Sequence, residues 1–418
     1  MPLPGPLRHT DRVPNRDAAA GGALAGHASR LGGPTRRAAL TGLGGALLAA
    51  CTDGGSGDPS PSATPTALPT PTPLPSAQRR LVWATWPEYI DVDDSGSQRP
   101  SLDRFTAETG IPVTYEEVIE DNEEYVATIA DDLAAKRPVG ADILTLTTWM
   151  TARLARSGQL QPFGPVPNAK NLIPALAAPD WDPQQRLSLP WQAGLTGITY
   201  DARRVGRAIG SVEELFTRPD LKGKVGFFTD FNDSIGLTLR SQGNDLATAT
   251  PDDVSAATAL LRDATERGQI AGFYGNDYLE ALDSGALVAS LGWSGDILQA
   301  QADNPYLKFV PPEEGLVIWS DNLVVPAGSL QAATVTALAD YYYQPEVAAT
   351  VAAWVNYICP VQGAQEAMER LDPDLAASPL IFPDSSILDR CYQLPTFAAD
   401  DELRVRDEFA AMVAASRR

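Results

Sequence analysis

The chain has 418 residues, of which 44% are hydrophobic and 20% charged, so it can form about two or three folded domains. Its formal net charge of −21 disfavours nucleic acid and anionic lipid surfaces as main partners. The only histidines, His9 and His27, lie in a basic segment that we interpret as a leader. Without it, the mature chain has no histidine, which excludes Ser-His-Asp and Cys-His catalysis, HExxH zinc chemistry and histidine pH switching.

Residues 1–50 have the composition of an export signal. Six arginines and two aspartates give this segment a net charge of +4, so the rest of the chain carries −25. A basic start, a short apolar run and then small residues are typical of a signal peptide. Residues 48–51 (LAAC) resemble a bacterial lipobox with Cys51 as the lipidated residue, and residues 35–40 (TRRAAL) resemble a twin-arginine motif. The alternative is a buried helix with an ordinary core cysteine.

Residues 51–78 are nearly all Gly, Ser, Pro, Thr, Ala and Asp, which predicts an extended tether without a core. A lipid anchor and a tether suit a domain that works close to a membrane partner. We therefore expect an exported protein that is anchored through Cys51 to the outer face of the cytoplasmic membrane. Because a disulfide is permitted there, we predict a bond between Cys359 and Cys391, with two separate buried thiols as the alternative.

The folded region begins near residue 79 and alternates strand and helix patterns. Strands are predicted at residues 81–86, 111–118 and 141–146, with helices at 123–136 and from Ser101, its N-cap, to Gly110. Further strands are predicted at residues 225–229, 287–293 and 323–326, and further helices at 251–267, 332–343 and 346–355. This order predicts an α/β fold with a parallel sheet, and about 340 folded residues indicate two lobes.

Two motifs that could bind metal have simpler interpretations. Asp91 begins a sequence similar to a calcium loop, but the twelfth position is Leu102, where a bidentate glutamate is needed. We therefore interpret it as a solvated acidic loop. The three tyrosines at 341–343 could suggest phenolate iron ligands, but their amphipathic helix favours core packing. We predict neither a metal site nor a cofactor.

An aromatic residue lies close to a carboxylate near three predicted strand ends, in WPEY at 86–89, WSGD at 293–296 and WSD at 319–321. In open α/β sheets, ligands bind beyond the carboxyl ends of the strands. An aromatic face attracts an organic cation and its methylenes, and a carboxylate accepts charge-assisted N–H bonds. One such arrangement alone would indicate packing and a surface acid, but three together predict a site for an organic ammonium ion.

Several motifs in the same order resemble those of a known family. TWPEYI at 85–90 resembles N-W-[ST]-[DE]-Y-[IV], FTAETGIPV at 105–113 resembles F-x-K-E-T-G-I-x-V, and residues 142–149 correspond to D-L-V-V-P-S-x-[YF]. GWSGD at 292–296 is similar to G-W-A-G-D, and residues 312–326 correspond to P-x-E-G-x-x-x-[WF]-x-D-x-x-x-[IV]-P. The family is that of the polyamine (spermidine/putrescine) solute-binding proteins of ABC importers, and the resemblance covers residues 80–418.

The resemblance implies a two-lobed, periplasmic-binding-protein-like (type II) fold with hinge strands and an interlobe cleft that closes on its ligand. It assigns residues 79–193 and 320–363 to lobe 1, and residues 194–319 and 364–418 to lobe 2.

The resemblance also implies a set of ligand-binding residues. Asp321 is the strongest candidate for binding an ammonium group. The family's acidic pair in lobe 2 departs here by about one residue, so Asp230 and Asp233 are both candidates. Thr147 replaces a serine and should keep its role, whereas Pro87 removes a hydroxyl. The complete set is Trp86, Glu88, Tyr89, Thr147, Trp149, Asp230, Asp233, Trp293, Asp296, Trp319, Asp321 and Tyr357.

The implied function is capture of a putrescine-like or spermidine-like cation outside the cell and delivery to an ABC permease in the membrane. We expect a monomer without catalytic residues. The alternatives are the same scaffold binding a sugar, an amino acid or a guanidino compound, and a ligand sensor. A further alternative is a glycosidase that uses a carboxylate pair without histidine, although nothing in the sequence sets two carboxylates at a catalytic distance.

Overall fold

The computed structural model describes residues 68–93, 95–179, 181–395 and 397–416. The predicted signal peptide, the lipidation site Cys51 and residues 51–67 of the tether lie outside these ranges. The last part of the tether contacts the folded region. Arg186 Nη2 donates a hydrogen bond to the Pro69 carbonyl at 3.0 Å. Among the described residues, no helix combines the length and the apolar character needed to cross a bilayer.

The strands of the described ranges join into one mixed sheet. In chain order they are β1 Leu81–Thr85, β2 Val113–Glu117, β3 Ile143–Thr147, β4 Leu160–Gln161, β5 Leu189–Asp201, β6 Val225–Phe228, β7 Ile270–Tyr274, β8 Ala289–Trp293, β9 Leu307–Val310, β10 Leu316–Pro326 and β11 Cys391–Tyr392. Strand β1 pairs in parallel with β2 and β3, and β6 pairs in parallel with β7 and β8. The predicted parallel α/β units are therefore present in both parts of the sheet.

Helices cover both faces and connect these strands. In chain order they are α1 Pro100–Thr109, α2 Asn122–Ala134, α3 Thr148–Arg156, α4 Val212–Thr217, α5 Phe231–Ser241, α6 Pro251–Glu266, α7 Tyr278–Ser284, α8 Ser294–Ala300, α9 Ala332–Tyr342, α10 Pro345–Val355, α11 Ala364–Leu371, α12 Pro373–Ala376, α13 Ser385–Leu388 and α14 Ala399–Ser416. Helices α3 and α8 begin directly after β3 and β8, and α5 follows β6 after two intervening residues. Their first turns therefore lie at the carboxyl ends of those strands.

Two long antiparallel strands connect the two parts of the sheet, whose order is β2-β1-β3-β10-β5-β8-β6-β7. Strand β10 pairs with β3 through residues 321–324, and β5 pairs with β8 through residues 196–200. The two long strands pair with each other over most of their length, with an irregularity between Asp321 and Asn322. Strands β5 and β10 are therefore the two strands that connect the two parts of the sheet.

A hydrophobic core lies on each side of these long strands. The first core includes Trp83, Phe105 and the three tyrosines at 341–343, so the prediction that these tyrosines serve core packing is confirmed. The second core includes Phe227, Leu291 and Phe409. Trp293 packs against both cores at their junction.

The C-terminal region divides between the cores differently from the predicted lobes. Ala364, Met368 and Ile381 belong to the first core, because α11 packs against α10. Val405 and Phe409 of α14 belong to the second core. The sequence assigned all of residues 364–418 to lobe 2. We propose instead that the chain returns to lobe 2 only after Ile381.

The segment around Asp91 differs from the helix start expected from the sequence. Helix α1 begins at Pro100 with Arg99 as its N-cap, so Ser101 is not the cap. The Ser101 N–H instead donates to the buried Asp91 carboxylate at 2.8 Å, and its hydroxyl also binds that carboxylate. The predicted helix end is confirmed, because Gly110 has a φ of 71°. Asp91 thus faces the interior, and the described residues hold no metal-binding group of His, Cys, Asp or Glu.

Cys359 and Cys391 are both free thiols, so the predicted disulfide is wrong. Cys359 is buried in the first core, and burial raises the pKa of its thiol to about 12. The Cys391 thiol contacts the Ile387 carbonyl at 3.3 Å, in a different apolar cluster, and burial raises its pKa to about 11. The alternative of two separate thiols is therefore confirmed, although only Cys359 is fully buried and Cys391 is partly exposed.

Candidate ligand-binding cleft

Asp321 lies at the centre of the sheet, where β10 pairs with β3 on one side and β5 on the other. Its side chain is buried and accepts two hydroxyl hydrogen bonds, from Tyr89 at 2.7 Å and from Thr147 at 2.7 Å. Asn122 donates to the Thr147 hydroxyl at 2.9 Å, which directs the Thr147 proton towards Asp321. The structure therefore brings together three predicted site residues that are far apart in the chain.

Asp296 stands in the first turn of α8, at the carboxyl end of β8. It accepts hydrogen bonds from Tyr357 at 2.5 Å and from Tyr278 at 3.2 Å. Tyr357 follows α10 and packs in the first core, so the Tyr357–Asp296 bond joins the two parts of the molecule. A Cβ on Gly295 would lie 2.7 Å from the Tyr357 ring, so this approach requires glycine.

Asp233 and Asp230 lie at the start of α5, at the carboxyl end of β6. Asp233 is buried and accepts hydrogen bonds from Thr196 at 2.8 Å and from the Trp293 indole at 2.7 Å. Asp230 caps the helix by accepting from the Asp233 N–H at 3.0 Å. Both candidates from the sequence thus lie at this end of the cleft, and Asp233 is the more deeply buried.

Aromatic rings line the space between these carboxylates. The Tyr357 ring lies 5.1 Å from Trp319 and 6.2 Å from Tyr89, centroid to centroid. Trp319 lies flat over the backbone of β5, where a Cβ on Gly194 would come within 2.3 Å of the indole. On the other side of the cleft, Trp293 stacks on Phe228 at 4.2 Å.

The remaining predicted residues lie around this centre. The Trp86 indole donates to the Thr145 carbonyl at 3.1 Å. Glu88 is exposed, with a φ of 55°, and its charge adds to the rise in the pKa of Asp296 that burial causes. Trp149 is partly buried in the first turn of α3 and lies under the guanidinium of Arg406, 3.8 Å from its ring centroid.

Three residues at the centre escaped the sequence analysis. Thr196 lies in β5, which was not predicted. Tyr278 begins α7, a helix that was not predicted, and Asn122 follows the capping residue of α2. Their roles depend on long-range contacts with Asp233, Asp296 and Thr147, which no local pattern indicates.

The negative charges of the cleft carboxylates are stabilised by hydrogen bonds more than by positive charges. Burial raises the pKa of Asp321 to about 6, despite the hydrogen bonds from Tyr89 and Thr147. Burial likewise raises the pKa of Asp296 to about 6, and it raises the pKa of Asp233 well above its usual value, with the Asp230 charge adding to the effect. Within the described ranges, the side-chain groups that bind these three carboxylates are hydroxyls and an indole, not cations.

Replacing Asp321 by asparagine should stabilise the ligand-free protein at pH 7.5, by up to about 3 kcal/mol. The folded pKa of about 6 lies above the unfolded value, so ionisation of Asp321 costs stability as the pH rises through 6. The gain should shrink as the pH falls from 6 towards 4 and disappear below about 4, where the carboxyl becomes protonated in both states. Urea unfolding at pH 7.5 and pH 4.5 measures this, with Asp131→Asn on the exposed face of α2 as control. An Asp321→Asn protein less stable than wild type at pH 7.5 would contradict it.

Two α/β parts joined by two long strands, with a cleft of aromatic and acidic residues between them, define a small-molecule binding protein. The family described as "Bacterial extracellular solute-binding protein" matches residues 101–383, more than half of the chain. The protein therefore belongs to this family of bacterial extracellular solute-binding proteins.

Two proteins of Escherichia coli are similar to this chain in sequence. It is 25% identical over 311 residues to the spermidine/putrescine-binding periplasmic protein of Escherichia coli, covering 74% of this chain and 84% of the relative. It is also 25% identical over 338 residues to the putrescine-binding periplasmic protein PotF of E. coli, covering 76% and 86%.

Among solved structures, the spermidine/putrescine ABC transporter substrate-binding protein PotD of Streptococcus pneumoniae is similar, with a TM-score of 0.66 and 24% identity. The match covers 81% of this chain and all of that one. The predicted fold, a two-lobed type II periplasmic-binding architecture, is confirmed.

Proposed function

We propose that this protein captures a small di- or polyammonium solute, of the putrescine or spermidine type, and delivers it to an ABC importer. The observation that carries the proposal is the set of carboxylates formed by buried Asp233 and Asp321 and partly buried Asp296, whose hydrogen-bond partners among the described side chains are hydroxyls and an indole instead of cations. A buried carboxylate without a cation costs free energy, and a bound ammonium group would offset that cost. The names of the curated relatives point to the same class of ligand.

The geometry suggests how such a ligand is held. Asp321 and Asp296 accept N–H bonds from ammonium groups, while Tyr89 and Thr147 keep the Asp321 carboxylate in place. The rings of Trp319 and Tyr357 contact the methylene chain. Tyr357 also bonds to Asp296 across the cleft, so closure of the lobes and completion of the site occur together.

The cellular arrangement belongs to the same proposal. The sequence of residues 1–78 supports export, lipidation at Cys51 and a tether that keeps a monomeric binding protein near its permease. Such an anchor would place the protein at the outer face of the cytoplasmic membrane. It has no enzymatic role in this account.

A thermal-shift panel of polyamines, amino acids, guanidino compounds and sugars on the full-length protein tests the ligand class. Putrescine or spermidine should raise the melting temperature, because a ligand that binds only the folded state stabilises it. Ligand at 100 times its Kd adds about 2.7 kcal/mol of stability. A shift with sugars or amino acids, but none with amines, would overturn the proposal and favour the same scaffold with another solute. Turnover of glycosides would favour the glycosidase alternative.

A further inference from the structure

The positively charged guanidinium of Arg406 lies among aromatic rings and close to a carboxylate. A ligand ammonium group would be recognised by the same kinds of groups. Arg406 projects from α14, and its side chain is 11% exposed. Its guanidinium carbon lies 3.8 Å from the ring centroid of Trp149 and 4.5 Å from that of Phe231. These rings belong to α3 and α5, at the carboxyl ends of β3 and β6, so the guanidinium bridges the two sides of the cleft.

Arg406 also contacts polar and acidic side chains. Its Nε lies 3.4 Å from Glu402, and its Nη2 donates to the Asn232 side chain at 3.3 Å. Its positive charge also acts on Asp230, where it opposes the rise in pKa caused by burial. Glu402 is held independently by Arg156 at 2.9 Å. Asp230 is therefore the carboxylate of the cleft that already has a cation nearby.

Arg153 also lies over the Trp149 ring, but at 5.6 Å from its centroid. Arg406 differs likewise from the basic residue nearest to it on α14. Arg404, two residues earlier on the same helix, is exposed and reaches Asp252 and Asp401 at 3.9 and 3.6 Å. Such exposed ion pairs contribute little to stability or binding. Arg406 instead is held by two aromatic faces and lies beside the residues that the sequence assigned to the ligand, Trp149 and Asp230.

We propose that Arg406 is a specificity-determining residue that occupies the Trp149–Asp230 end of the cleft and so limits the length and charge of the ligand. This inference rests on the proposed function. A diammonium can use Asp321, Asp296 and Asp233, but the additional ammonium of a triamine meets the guanidinium where it would need a carboxylate and an aromatic face. The cleft thus favours short diamines over longer polyamines.

The test is the ratio of the spermidine and putrescine dissociation constants, measured by calorimetry on the full-length protein at pH 7.5. Arg406→Gln should shift this ratio by about tenfold or more in favour of spermidine, because the guanidinium no longer covers the Trp149 ring at 3.8 Å or offsets the charge of Asp230. Arg404→Gln is the matched control, since it removes one positive charge from the same helix, and it should leave the ratio unchanged. Arg406→Met, which keeps the stem on the Trp149 ring, serves if the glutamine variant does not fold.

The outcomes separate this inference from the proposed function. If wild type and the Arg406 variants bind both amines with the same ratio, the assignment of Arg406 is overturned and the proposed function stands. An equal shift in the Arg404→Gln protein would overturn it as well, because the effect would then be one of net charge. If folded wild-type protein binds neither amine, the proposed function fails and the inference fails with it. A loss of affinity for both amines in equal proportion would indicate a purely structural role.

Discussion

Replacing Asp321 by asparagine should weaken the binding of putrescine and spermidine by about 30-fold to several thousand-fold, or roughly 2–5 kcal/mol. The amide has nearly the same shape and can still bind the hydroxyls of Tyr89 and Thr147, but it cannot offset the charge of a desolvated ammonium group. Calorimetry at pH 7.5 measures the loss.

Asp131→Asn is the matched control for this variant, because it makes the same change in net charge at an exposed position on α2. Its amine affinity should stay within about twofold of wild type, as expected for a distant surface charge. Wild-type affinity in the Asp321→Asn protein would contradict the assignment. Asp321→Asn is also expected to make the ligand-free protein more stable. A loss of affinity together with this gain would show that Asp321 serves ligand binding and lowers the free energy of unfolding.

Amine binding should weaken by up to about a hundredfold between pH 7.5 and pH 5. Asp321 and Asp296 have pKa values of about 6 without ligand, whereas the bound cation requires both in the ionised form. Below pH 6 both must lose a proton on binding, and each contributes a factor of about ten at pH 5. The amines stay fully charged throughout this range, so the effect comes from the protein.

Calorimetry in two buffers with different ionisation enthalpies counts these protons. At pH 5.5, binding of putrescine should release between one and two protons per chain, and the Asp321→Asn protein should release fewer. Affinity that is constant from pH 5 to pH 7.5, or uptake of protons on binding, would contradict the electrostatic description of the cleft.

Helices and strands that are specified by local sequence signals could be predicted from the sequence. Helix α6, Pro251–Glu266, was predicted within one residue, because Thr250, Pro251 and Asp253 form a complete start signal with a capping box. Strand β1, Leu81–Thr85, was likewise found as a short apolar run. Where local signals compete, the prediction failed: Ser101 has the chemistry of an N-cap, but the buried Asp91 takes its N–H and hydroxyl.

Strand β5 was missed for a reason connected with the cleft. It contains Pro190, Gly194 and Gly197, which are typical of loops and turns. Both glycines are required by close approach, since a Cβ would meet the Trp319 ring at Gly194 and the Val310 carbonyl, at 2.9 Å, at Gly197. The two glycines that allow these close contacts therefore also make the strand resemble a loop in the sequence.

The motifs indicated which residues form the cleft but not how they are connected. Tyr89 and Asp321 are separated by 232 positions, and no local pattern predicts their hydrogen bond. Arg406 was overlooked because a charged residue on an amphipathic C-terminal helix is ordinarily solvated. Its position against Trp149 depends on how α14 packs on the second core.

The central claim is that the buried carboxylates of the cleft bind ammonium groups. Calorimetric titration of the full-length protein at pH 7.5 with putrescine and with 1,4-butanediol, which has the same four-carbon chain without charge, tests it most directly. We expect saturable binding of one putrescine per chain and no saturable binding of the diol at the same concentrations. Equal binding of the two compounds, or no binding of putrescine, spermidine or any other amine, would contradict the claim.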